Sequence, residues 1–359
     1  MTPQQILCFM AQKNNKKEVV IVRFSALGDV ALCIPVLYTA CESNPHTQFT
    51  FVTRQAFTQI LINRPANLNV VGIDLKNDYK GIGGMVRLAG ELGKPSLFID
   101  LHSVLRTRVL ALMMRLKGVR VLSIDKGRKY KRQLVKNGAM TMTPLKPVLL
   151  RYAQPFYDAS FNLDKRFSGL YADAPADVNL FATVSLPKQP GERWLGVAPF
   201  AAHAGKIYPI EKMQKVVETL AALPDAKIFL FGGGALETQT LTEWAYNHDN
   251  VVCVAGKNLG FAGELALMHY IDLMVCMDSG NMHLAAIAGA RTLSIWGATH
   301  PAAGFAAWRS TKDDRIEAVL DCRPCSIFGN KKCRFGTFAC MNTIKPQQII
   351  EQINTIISQ

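Results

Sequence analysis

Residues 19–43 read VVIVRFSALGDVALCIPVLYTACES. VVIVRF (19–24) has the length and β-branched content of a strand buried on both faces. A tight turn follows, and VALCIPVLYTACES (30–43) reads as a helix. A strand passing through a turn into a helix is the opening of a βαβ unit, and the pattern repeats downstream. FTFVTR (49–54), LNVVGIDL (68–75), LFIDL (97–101) and VRVLSI (119–124) are further strands, with a helical stretch after LFIDL running through Arg115. Strands separated by helix-length segments imply an α/β fold with a mostly parallel sheet.

The rhythm fails from about residue 162, where proline, glycine and acidic residues lack a sustained period. It restarts with WLGVAPF (194–200), AKIFLFGGG (226–234), NVVCVAG (250–256), DLMVCM (272–277) and RTLSIWG (291–297), again with helical segments between them. The division expected is a domain over 1–165, a linker over 166–192 and a second domain over 193–359. The last helix is a candidate to pack back on the first domain. A chain of 359 residues supports two domains at roughly 100–200 residues each. Two such halves would place a ligand cleft at the carboxyl ends of the strands.

Composition excludes several classes. Apolar residues are 49% and charged residues 19%, which is globular and not disordered or collagen-like. No apolar run reaches the ~18 residues needed to cross a bilayer. The opening MTPQQILCFMAQKNNKKE lacks the layout of a secretory leader, so a cytoplasmic protein is expected. Nine cysteines are an odd number and lack a small-scaffold spacing, which favours reduced thiols. Net charge is +14. Residues 1–165 hold 24 Lys and Arg against 10 Asp and Glu, whereas 166–359 hold 17 of each. The basic half is expected to face nucleic acid, an acidic membrane surface or a phosphorylated substrate.

Candidate chemistry sits where strands turn into helices. In MDSGNMHLAAIAGA (277–290), Asp278 or Ser279 can cap a helix, and Gly280 admits a ligand close to the backbone. The free N–H groups of that first turn, with the helix dipole, form an anion site toward which His283 can point. In RFSALGDVALCIP (23–35), Ser25 and Gly28 suit a turn approached by substrate. Asp29 stands at the helix start, where a carboxylate could act as a general base. Lys206 lies in the loop PFAAHAGKIYPIEKM (199–213) and could neutralise a diphosphate. In FGGGALE (231–237), Glu237 could accept hydrogen bonds from a ribose. It also occupies the place of the third glycine of a dinucleotide fingerprint. DLHSVLRTRVL (100–110) offers Asp100 at a strand end and Arg106 at the start of a basic run. That run, with DKGRKYKRQLVK (125–136), favours anion binding. Cys322, Cys325, Cys333 and Cys340 could form a tetrahedral zinc site or remain free thiols or a pair, since the second pair is not CxxC.

Taken together, RFSALGDVALCIPVL, FIDLHSVLRTR, APFAAHAGKIYP, FGGGALE, MDSGNMHLAAIAGA, WGATHP (296–301) and CMNTI (340–344) resemble glycosyltransferase family 9, the ADP-heptose:lipopolysaccharide heptosyltransferases, in the family's own order. The resemblance implies a GT-B architecture of two Rossmann-like domains, the first binding acceptor and the second the nucleotide-sugar. It implies Asp29 as catalytic base, and Lys206, Asp278, Ser279, Gly280 and His283 around the donor diphosphate. Glu237 would lie at the nucleoside, and Ser25, Gly28, Asp100 and Arg106 at the acceptor. An ADP-heptose-like donor, a phosphorylated glycolipid acceptor and a charge-held anionic inner-leaflet surface follow as partners. No cofactor or nucleic acid is expected, and no metal is required where lysine and backbone donors can stabilise the departing diphosphate. Ser279 stands where the family often has threonine, and Tyr208 where it commonly has tryptophan. Two alternatives are an NAD(P)-dependent oxidoreductase, weakened by the absence of G-x-G-x-x-G after a strand, and a non-catalytic anion- or nucleic-acid-binding protein, weakened by the neutral second half.

Overall fold

A computed structural model describes residues 17–139 and 143–358. The N-terminal stretch read above as lacking a secretory layout lies outside the described residues, apart from its last two. The chain forms two compact units, one within Met1–Lys126 and Val148–Ser168, the other within Gly127–Pro147 and Gly169–Gln359.

The first unit is built on β1 (Lys17–Val22), α1 (Leu27–Ser43), β2 (Thr47–Arg54), β3 (Leu68–Ile73), α2 (Gly81–Glu91), β4 (Leu97–Asp100), α3 (Leu105–Leu116) and β5 (Arg120–Ser123). Its strands are parallel, in the order β3-β2-β1-β4-β5. Val19 to Val22 are fully buried, as expected of a central strand covered on both faces. Helices α2 and α3 share one core with the sheet through Met85, Leu88, Leu110 and Met114. α1 begins at Leu27, three residues earlier than its apolar run suggested, so Gly28 and Asp29 lie inside its first turn.

Two further helices follow, α4 (Arg128–Asn137) and α5 (Val148–Asp158). α5 belongs to the first unit, while α4 and its flanks belong to the second. The first unit ends at Ser168, near the division expected at 165, but residues 127–147 depart from an unbroken first domain. The cause is packing: Leu134 is fully buried in a small cluster with Ala302 and Ala303, and Lys131 lies over the Phe305 ring at 4.1 Å. Part of the basic run therefore belongs to the second unit.

That unit contains β6 (Arg193–Ala198), α6 (Ile210–Ala221), β7 (Ala226–Leu230), α7 (Ala235–Ala245), β8 (Val251–Cys253), α8 (Gly260–His269), β9 (Leu273–Met277), α9 (Gly280–Ala288), β10 (Arg291–Trp296), β11 (Arg315–Glu317), α10 (Ala339–Asn342) and α11 (Pro346–Ile357). Its parallel order is β11-β10-β9-β6-β7-β8. α11 does not return to the first domain: Ile349, Ile353 and Ile356 are buried in this unit's own core. Most of the expected linker is packed along the same unit. Phe181 stacks edge-on against Trp194 and Tyr270, and the Leu170 N–H donates to the Ile287 carbonyl at 2.8 Å.

Strand order reverses between β1 and β4 in one sheet and between β6 and β9 in the other. At such a point adjacent loops diverge and open a crevice beyond the carboxyl ends of the strands. Ser25, Asp100, Lys206, Asp278 and Ser279 lie at the ends of those strands or in their loops, Gly28, Asp29, Gly280 and His283 in the helix turns that follow, and Glu237 after β7.

Candidate active site

In the first unit, the loop after β1 presents Arg23 and Ser25, and the first turn of α1 presents Asp29. Arg23 is buried, and a buried guanidinium requires an anion. Its Nη2 lies 2.6 Å from Asp29 Oδ2, and its Nη1 donates to the Leu101 carbonyl at 2.7 Å. Tyr152, from α5, donates its hydroxyl to Asp29 Oδ1 at 3.1 Å, and the Ala26 N–H donates to Oδ2 at 3.4 Å. Asp29 stays a quarter exposed while Arg23 and Tyr152 are buried, so its carboxylate is fixed in direction yet reachable.

The loop after β4 completes this group. Asp100 Oδ1 accepts the N–H groups of His102 and Ser103 at 2.8 and 2.7 Å, which folds the loop. His102 is thereby held with Nε2 at 3.4 Å from Ser25 Oγ. Burial, reinforced by the Arg23 and Lys126 charges, lowers the His102 pKa to about 3, so the ring is neutral near pH 7. Ser25, Gly28, Asp29 and Asp100 thus lie around one switch point. Arg106 stands apart on the exposed start of α3 and forms no hydrogen bond or ion pair with the described residues. Asp100 is buried and shapes its loop.

In the second unit, Lys206 ends a 3₁₀ turn, Ala204–Lys206, after β6. Its Nζ lies 2.8 Å from Asp278 Oδ2 and donates to the Asp278 carbonyl at 3.1 Å. The Thr299 hydroxyl donates to the same carboxylate at 2.8 Å, so the WGATHP stretch contributes to this site. Ser279 holds the N-cap position of α9 but makes no side-chain cap. The capping expected of Asp278 or Ser279 is therefore not observed. Asp278 is engaged by Lys206 and Thr299, and Ser279 Oγ is buried with no partner among the described residues. An uncapped first turn keeps N–H donors available to an anion. Gly280 opens this helix and His283 is buried one turn in.

Glu237 lies in the first turn of α7, where Oε2 accepts the Gly233 N–H at 2.8 Å and fastens the glycine loop. Gly329, at φ +76°, lies against the Lys206 stem: a Cβ there would fall 2.6 Å from Lys206 Cγ. The Tyr208 hydroxyl donates to the Ile344 carbonyl at 2.8 Å, so the tyrosine and CMNTI motifs join in the core. Cys322, Cys325, Cys333 and Cys340 are unoxidised and line one cavity of about 20 Å³. Among the described residues no three His, Cys, Asp or Glu side chains form a set able to hold a metal ion.

Sequence reasoning missed Arg23, Tyr152, His102, Thr299 and Gly329. Arg23 left a signal as a cation that ends an apolar strand six residues before an acid, and His102 and Thr299 lie inside the FIDLHSVLRTR and WGATHP stretches. Tyr152 lies on a helix masked by two prolines, Pro147 and Pro155.

The model of glycosyltransferase family 9 (heptosyltransferase) matches residues 86–336. The chain is 24% identical over 336 residues to a lipooligosaccharide heptosyltransferase 2 of Campylobacter jejuni, covering 92% of this chain and 95% of that one. Among solved structures it resembles the glycosyl transferase family 9 of Veillonella parvula at 17% identity and TM-score 0.72, covering 96% and 98% of the two chains. It also resembles the E. coli heptosyltransferase WaaC with ADP-2-deoxy-2-fluoro heptose at 17% identity and TM-score 0.62, covering 94% and 99%. At these identities the structures speak for the two-sheet α/β fold they share with this chain. The family match displaces the oxidoreductase and nucleic-acid readings. The chain belongs to glycosyltransferase family 9, the heptosyltransferases, and is a glycosyltransferase.

Proposed function

We propose that the chain transfers a heptose, or a related sugar, from an ADP-sugar to a lipopolysaccharide core acceptor, with inversion at the anomeric carbon and Asp29 as general base. The observation that carries this reading is the Lys206–Asp278 pair at the uncapped start of α9. Lys206 and the free N–H groups of that first turn are donors suited to a diphosphate, with Asp278 holding the ammonium in place.

Asp29 takes the proton from an acceptor hydroxyl as that oxygen bonds to the sugar C1. The bond from C1 to the diphosphate oxygen breaks, and its electron pair leaves with the diphosphate. Lys206, the α9 N–H groups, the Ser279 hydroxyl and His283 stabilise that growing charge. Glu237 accepts from the nucleoside. Attack opposite the leaving group inverts C1. Ser25 and neutral His102 offer donor and acceptor atoms that orient the acceptor, with Gly28 and Asp100 framing it. A phosphorylated glycolipid suits the basic N-terminal half, and the protein then works as a peripheral enzyme on the anionic cytoplasmic face of the inner membrane.

The test is Asp29→Asn. Transfer to core acceptor should fall by about 10²-fold or more while ADP binding stays within about twofold, measured by product formation and calorimetry. Near-normal transfer would remove Asp29 as the base. Failure of the wild type to bind ADP more tightly than other nucleoside diphosphates would remove the donor.

A further inference from the structure

The surface of α3 inverts the usual pattern of a solvated helix. Thr107, Leu110, Ala111 and Met114 face the core. The opposite stripe, normally polar, carries Leu105, Leu112 and Leu116, which are 76, 49 and 73% exposed. Their spacings of seven and four residues put all three on one line along the helix. Arg108 and Arg115 flank that line on one side and Arg106 on the other. None of the three pairs with an acid among the described residues, and α3 contains no acidic residue. Neighbouring α2 packs on the same sheet face and shares the same core. Its outward side adds Ile82 and Val86, 65 and 48% exposed. Lys117 bridges the two helices by donating to the Ala89 and Gly93 carbonyls.

We infer that the outer faces of α2 and α3 form a membrane-docking surface, in which Leu105, Leu112 and Leu116 enter the acyl boundary of an anionic bilayer while Arg108 and Arg115 engage lipid phosphates. Leucines flanked by arginines that meet no acid among the described residues match that boundary, where apolar chains lie just beneath a layer of negative charge. A protein partner of the same shape would have to supply its own acids, whereas an anionic leaflet supplies them everywhere. The surface deepens the membrane-acceptor reading above, on which the choice of bilayer rests. It replaces attachment by diffuse charge with attachment by a defined apolar-basic face.

Cosedimentation of the full chain with vesicles requires neither donor nor acceptor, so it can fail separately from the transfer reading. Vesicles of phosphatidylethanolamine and phosphatidylglycerol at roughly three to one should capture the wild type, and phosphatidylcholine vesicles should not. Leu112→Glu with Leu116→Glu should weaken capture at least about tenfold, and Arg108→Gln with Arg115→Gln should abolish the preference for anionic lipid. Transfer from ADP-sugar to a lipid-free core oligosaccharide should be unchanged in the leucine variant, which also verifies folding. Capture of that variant equal to wild type overturns the proposal. So does capture of the wild type that is wholly lost at about 0.5 M salt, which would mean charge alone. A wild-type dimer in solution that the leucine variant dissolves would make a second copy the occupant, and would overturn it as well.

Discussion

Arg23 organises the first switch point residue by residue. A buried guanidinium at the end of β1 pairs with Asp29, orients it with help from Tyr152, and ties β1 to the loop after β4 through Leu101. His102 rests in the same group as an uncharged ring, edge-on to Phe24. Its pKa falls from an ordinary 6.5 to about 3, chiefly through burial. Between these values the unfolded chain binds a proton that the native chain does not. Stability contributed by His102 is therefore full above about pH 6.5 and is lost as pH falls toward 3. His102→Asn should flatten this acid limb: the drop in unfolding free energy between pH 7 and pH 4.5, read by urea denaturation, should be smaller than in the wild type. Equal drops in both proteins would contradict a neutral buried ring.

At the scale of elements, short turns set the donor pocket. Ser326 Oγ accepts the Gly329 N–H at 3.0 Å, and the Ser326 N–H donates to the Ala298 carbonyl at 3.2 Å. Ala298 in turn donates its own N–H to the Gly205 carbonyl at 2.8 Å. Gly329 is thus pressed against the stem of Lys206 in a left-handed conformation that side chains disfavour. Gly329→Ala should push the lysine off Asp278. ADP-sugar affinity should fall by about tenfold with adenosine affinity much less affected, since only the phosphate-binding cation moves. Calorimetry with both ligands checks this, and parallel losses would point to a general disturbance of the unit.

At the scale of the whole molecule, chain order and spatial order differ. Residues 127–147 leave the first unit, fold with the second, and the chain then returns as α5 to supply Tyr152. Leu134 holds the excursion in place, with the Ala139 N–H on the Arg323 carbonyl at 3.1 Å and the Leu145 N–H on the Ala302 carbonyl at 2.9 Å. Leu134→Asp would bury an unpaired charge, costing about 2–3 kcal/mol. Hydrogen exchange should accelerate across 128–137 and 302–305 while β1 to β4 stay protected. Uniform acceleration in both units would show that the segment is not a local attachment.

The sequence by itself determined the two parallel sheets, because β-branched runs separated by helix-length segments bury both strand faces in few other ways. It also marked Asp29, Lys206, Asp278, Ser279 and Glu237, each beside a strand-to-helix turn where local pattern is strongest. It counted residues 127–147 in the first domain and left α11, placed in the second, as a candidate to pack back on the first. Those choices rest on which apolar face meets which, and Leu134 or Ile353 looks the same in either setting until its neighbours are known. Only the tertiary structure decided that Arg23 and Tyr152 converge on Asp29, that Thr299 bonds Asp278 while Gly329 lies against Lys206, and that three leucines of α3 face outward. Contacts between residues far apart in the chain are selected by packing and charge compensation, and neither leaves a period or a spacing to read.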